Sequence, residues 1–222
     1  MKKTIIALTA LAGLAMGSDF TSSITTGDAG NGSYYGGTVK LTDSFFSTTS
    51  EVENITELPE VLTLDAVTFY SRTSGNQLSN TVYLAVYEYA ADHTTGTFVG
   101  LSSNTVTANT LNAALTFNFD GVTISSQKQY QLLFVNSEST AENVASFDGY
   151  KTHGINIGIS VLNQGSLPSG DGTYKGTGIN SWEGSYIPKL TITTSMPAVP
   201  EPTTATLSLL ALAGLAARRR RK

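Results

Sequence analysis

The chain has 222 residues, 40% hydrophobic and only 14% charged, with no cysteine and a formal net charge of −4. Without cysteine there are no disulfides and no thiolate chemistry, so the fold must stand on its core. The charge is unevenly spread: residues 18–198 hold six basic side chains against sixteen acids, net −10, which excludes the clustered Lys/Arg surface that nucleic acid requires.

The first 17 residues read as a secretory signal peptide. Lys2 and Lys3 form a basic start, residues 4–14 a short apolar run, and Ala15-Met16-Gly17 a small-x-small cleavage site before Ser18. Residues 18–198 form the body, one domain's worth of chain and long enough for a sizeable core.

Within the body the opening residues 18–50 are rich in Gly, Ser, Thr and Asp, with Tyr34-Tyr35 and Val39-Lys40-Leu41 as the best short strand. Residues 51–60 are acidic and read as a loop or helical turn. Residues 61–72 (VLTLDAVTFYSR) place Leu62, Leu64, Ala66, Thr68 and Tyr70 on one face of a strand. Residues 81–89 (TVYLAVYEY) alternate Val82, Leu84 and Val86 with Tyr83, Ala85, Tyr87 and Tyr89, a tyrosine row that either carries a second layer or meets solvent.

Turns are expected around Gly96 and Gly100, and again at Asp120-Gly121 between Leu115–Phe119 and a short continuation through Ile124. Residues 130–136 (YQLLFVN) are apolar enough to be buried on both faces. Ile155, Ile157, Ile159 and Val161 share one side, with Gly158 marking a bulge or a close approach. Residues 165–184 read as a long glycine-rich loop and residues 187–194 as the last strand. Eight or more short strands without a helical period predict an all-β, antiparallel β-sandwich. The segments YLAVY, GTFVG, LTFNF and YQLLFV also resemble the strand grammar of jelly-roll, carbohydrate-binding-like domains, over residues 61–135.

The inventory for catalysis is thin, and the chain reads as a non-enzyme with no cofactor. His93 and His153 have no partner at metal-ligand spacing, and no Gly-x-Ser-x-Gly elbow occurs. Glu88, Asp120, Asp148 and Glu183 are the carboxylates a glycan-active hydrolase would draw on, each read more economically as a turn or edge residue. Calcium suits the acidic loops better than zinc, yet no Asp-x-Asp-x-Asp-Gly loop is present, and Asp171-Gly172 and Asp148-Gly149 read first as turns. The stretch with binding character is residues 170–186. There Trp182, Tyr174 and Tyr186 offer aromatic faces for a sugar, and Asp171, Asn180 and Glu183 offer polar partners for its hydroxyls. The competing reading turns Trp182 and Tyr186 inward as a plug of the sandwich.

Residues 199–222 have three parts in fixed order: Pro200-Glu201-Pro202, an uncharged Leu/Ala run over residues 203–217, and Arg218, Arg219, Arg220, Arg221 and Lys222. The prolines make a rigid, non-helical spacer. Fifteen helical residues span roughly 22 Å, short of the ~30 Å hydrocarbon core, but arginine stems snorkel and extend the reach. The leucines nearly encircle the helix, which fits a membrane span better than a one-sided soluble helix. A basic block after an apolar run is what the positive-inside rule places in the cytoplasm.

This tail resembles the PEP-CTERM sorting signal of exported proteins. The resemblance implies recognition of Pro200, Glu201 and Pro202 by a membrane-embedded exosortase that cuts near them. It also implies a precursor held in the inner membrane, with the four arginines as the membrane stop. It places the body at the cell surface or outside the cell, with extracellular polysaccharide as its partner class.

Overall fold

The structure is a computed structural model and describes residues 19–25, 29–43, 46–51, 57–90, 95–148, 150–163, 177–178 and 186–197. The signal peptide expected at residues 1–17 and the membrane helix expected at 203–217 lie outside the described residues. Among the described residues no helix is long and apolar enough to cross a membrane.

Alternation of polar and apolar residues builds two antiparallel sheets. The strands are β1 (Asp19–Ile24), β2 (Ala29–Val39), β3 (Ser47–Ser50), β4 (Val61–Tyr70), β5 (Thr81–Tyr89), β6 (Thr95–Leu101) and β7 (Val106–Thr107). They continue as β8 (Ala114–Ser125), β9 (Tyr130–Asn136), β10 (Ile157–Asn163), β11 (Thr177–Gly178), β12 (Tyr186–Pro188) and β13 (Leu190–Ser195). Two four-residue helices, α1 (Ala141–Val144) and α2 (Tyr150–His153), lie between β9 and β10. One sheet has five strands in the order β3-β1-β13-β4-β8, and the other eight, β12-β10-β2-β9-β5-β6 with β11 on β2 and β7 on β5.

The inner faces of both sheets supply one core. Phe134 of β9 packs edge-on against Phe69 of β4 at 4.8 Å between ring centres and lies 5.8 Å from Phe117 of β8. All three rings are fully buried, each contributing roughly 2–3 kcal/mol by its removal from water. This cross-sheet contact makes the body a sandwich.

The eight-stranded sheet is covered over part of its outer face as well. Residues Tyr130 to Val135 of β9 are all buried, as the unbroken apolar run predicts. Ala85, Tyr87, Leu133 and Val135 form a second cluster beneath Val144 of α1, with Phe98 and Phe147 at its margin. The tyrosine row of β5 is thus covered at Tyr87 and emerges into solvent at Tyr89, which is 40% exposed.

Several strands depart from the sequence expectation. On β4 the inward residues are Leu62 and Leu64, then Val67 and Phe69, so Ala66, Thr68 and Tyr70 turn outward. The cause is a register shift: Leu64 pairs with Val122, but Ala66 pairs with Asn118. Bulged residues on both strands change the phase together and keep every inward pair apolar. Asp120-Gly121 is therefore no turn but the irregular centre of a single long β8, made feasible by Gly121 at φ 69°. Gly96 and Gly100 also lie within a strand, β6. A methyl at Gly100 would stand 2.6 Å from a Val122 methyl, so glycine there lets β6 approach β8 across the sandwich. Gly158 is a close approach as expected, with Gln77 and Arg72 within 3.0 Å of where a β-carbon would sit. The last strand of the reading is two strands in different sheets, parted at Lys189. The polar opening region yields three strands rather than one, because Phe20, Ser22 and Ile24 alternate inward despite the hydroxyl-rich composition.

Candidate functional site

Of the residues expected to contact sugar, Trp182, Tyr174, Asn180, Asp171 and Glu183 lie outside the described residues. So do His93, Pro200, Glu201, Pro202 and Arg218, Arg219, Arg220 and Arg221. Tyr186 begins β12, where its backbone pairs with Asn163 of β10.

Of the remaining carboxylate and histidine candidates, Glu88, Asp148 and His153 engage neighbouring side chains at the surface. Glu88 at the end of β5 is ion-paired to Lys128, and this bond together with the carboxylate's charge raises the lysine pKa. Asp148 is 87% exposed and takes a contact of 3.2 Å from His153 Nε2. The imidazole lies flat on Phe147, ring centres 4.0 Å apart and planes 6° from parallel, and His153 is half-buried. Asp120 is exposed on the β8 irregularity. Among the described residues no group of three His, Cys, Asp or Glu side chains is placed to hold a metal.

Two surface features remain. A hollow of ≈ 580 Å³ opens beside β1 and β3, with Phe20, Leu41, Phe46 and Leu58 as its apolar lining and Asp43, Glu57 and Gln127 among its polar groups. The second is the outer face of the five-stranded sheet. In register across it stand Ser47, Ser23, Thr191, Thr68 and Thr116, one hydroxyl per strand. The neighbouring row is Thr49, Thr21, Thr193, Ala66 and Asn118. All ten side chains are half-exposed or exposed. Thr68 and Thr116 join hydroxyl to hydroxyl at 2.9 Å, and Tyr70 reaches Thr191 Oγ1 at 3.3 Å.

Below these rows, Asp65 accepts a hydrogen bond of 3.0 Å from Ser195 Oγ. Burial raises its pKa, the serine bond lowers it, and the charge of Asp19 raises it again, for a net upward shift. Reasoning strand by strand missed these rows, although four of the five strands carry the signal. In FTSSI, LTITTS and LTFNF every outward position is Ser, Thr or Asn, and in AVTFY Thr68 stands outward between inward Val67 and Phe69. What the single sequence lacks is the register that lines them up.

No curated protein and no solved structure matches the chain. Residues 198–222, however, match the PEP-CTERM protein-sorting motif. An all-β sandwich body is therefore followed in this chain by the PEP-CTERM sorting motif, which marks an extracellular protein sorted by an exosortase.

Proposed function

We propose that this is a non-catalytic component of the cell envelope or extracellular matrix whose sandwich associates with polysaccharide. The observation that carries the reading is the sorting motif at residues 198–222 following a compact unit, Ser18–Pro197. Met1–Gly17 directs export, and the run at 203–217 holds the precursor in the inner membrane until cleavage near Pro200-Glu201-Pro202. The strand orders β1-β13-β4-β8 and β2-β9-β5-β6 support a jelly-roll frame, with β10 to β12 as an addition between β9 and β13. Jelly rolls serve many lectin domains, and fold by itself assigns no activity.

Extraction of the native matrix tests the association. The protein should co-fractionate with polysaccharide and be released when the polysaccharide is digested. Recovery wholly in the polysaccharide-free fraction would contradict it. Glycan hydrolysis is a second reading, favoured by Asp43 and Glu57 around the hollow beside β3. Release of reducing sugar by the purified protein, lost in Glu57→Gln, would establish it.

A further inference from the structure

We infer that the outer face of the five-stranded sheet binds an extended, electrically neutral polysaccharide laid across the strands. This rests on the polysaccharide reading above and names both the surface and the class of glycan. The row Ser47, Ser23, Thr191, Thr68, Thr116 crosses all five strands. Strands sit about 4.8 Å apart, so its five rungs extend about 19 Å. That rung spacing is close to the length of one sugar unit in an extended glycan, so each strand meets one unit with one hydroxyl.

Three properties of the face select its occupant. A serine or threonine hydroxyl donates and accepts, so it matches sugar hydroxyls in either sense. The row and its neighbour contain no ionisable side chain, while Asp19 and Asp65 lie beyond them on one side and Lys189 on the other. With a body charge of −10 around it, this neutral strip repels a polyanion and admits an uncharged polymer. The two rows also lack the buried aromatic or arginine anchors that give a protein partner its affinity. Contacts of this kind are individually weak and gain strength by repetition along a polymer, which suits a matrix component.

The face is pre-ordered. The bond between Thr68 and Thr116 and the one from Tyr70 to Thr191 fix three of the hydroxyls before any ligand arrives. Valine is nearly isosteric with threonine and favours strands, so Thr→Val removes the hydroxyl and spares the sheet.

The test is retention of the full-length chain, purified in detergent, on the insoluble neutral glucans cellulose and curdlan, with soluble alginate as the anionic comparison. The wild type should be retained by a neutral glucan and not bind alginate. Thr68→Val with Thr191→Val should weaken retention by about tenfold, two lost hydrogen bonds' worth, at unchanged circular dichroism. Thr68→Ser with Thr191→Ser should retain binding. If the valine pair melts early, Thr21→Val with Thr193→Val tests the same surface from the second row. Undiminished retention in the valine variants, or loss in Trp182→Ala alone, would overturn this face while leaving the polysaccharide reading intact. Stronger binding to alginate would overturn the neutral class, and binding to none of the three would overturn both.

Discussion

Tyr87 donates its phenolic hydrogen to the carbonyl of Val144 at 2.7 Å, joining the middle of β5 to the last residue of α1. A four-residue helix has no stability of its own. This one is held by that bond, by Val144 in the second cluster, and by a capping box in which Thr140 and Asn143 satisfy each other's amides at 3.4 and 2.9 Å. Burial pushes the Tyr87 pKa upward, so the phenol stays a donor across the physiological range.

Tyr87→Phe should therefore cost about 1 kcal/mol, because the Val144 carbonyl keeps its second donor, Phe147 N at 3.1 Å. Melting should fall by about 2–4 °C. Amide exchange should quicken at Val144 and Ala145, whose N–H groups bond to Thr140 and Ala141. Unchanged protection there would show that the tyrosine fills space without tethering the helix.

Asn104 acts as a side-chain strand. Its Nδ2 donates to the Thr116 carbonyl at 3.0 Å and its Oδ1 accepts from the Asn118 amide at 2.7 Å, covering backbone groups on the open edge of β8. Exposed edges of this length recruit other chains. Asn104→Ala should lower stability by about 1 kcal/mol and make light scattering rise with protein concentration. A variant that stays monomeric with a protected Asn118 amide would rule this role out.

Asp65 gives a pH dependence of defined sign. Its raised pKa means that the folded state holds the proton more tightly than the unfolded state, where the ordinary value is 3.8. The associated stability is complete below that value and is lost as pH rises through the folded value. Asp65→Asn keeps an oxygen to accept from Ser195 and removes the charge. It should melt about 1–2 °C higher at neutral pH, a small gain because the group is largely solvated. The gain should vanish below about pH 4, the ordinary carboxylate range. A gain that persists in acid would assign the effect to something other than charge.

Legibility in the sequence followed periodicity. The sandwich, the doubly buried β9 and the tight contact at Gly158 were readable because each depends on one segment's own pattern. The phase change at Asp65 was not, because it needs the β8 partner: Leu64 and Val67 are both inward only if the strands bulge together. The strand β1 was hidden for a different reason. Its Thr and Ser residues look like coil until Ile192 and Leu190 of β13, far along the chain, pair with Ser22 and Ile24. The hydroxyl rows belong to the same class, being a property of register across five strands. Trp182 and Tyr174 lie outside the described residues.

Intact-mass analysis of the protein from its native host, cells and medium measured separately, tests the central claim most directly. The account predicts a species lacking Met1–Gly17 and the residues after Pro202. A mature protein still carrying Arg218 to Lys222 would contradict exosortase processing and make the tail a plain membrane anchor.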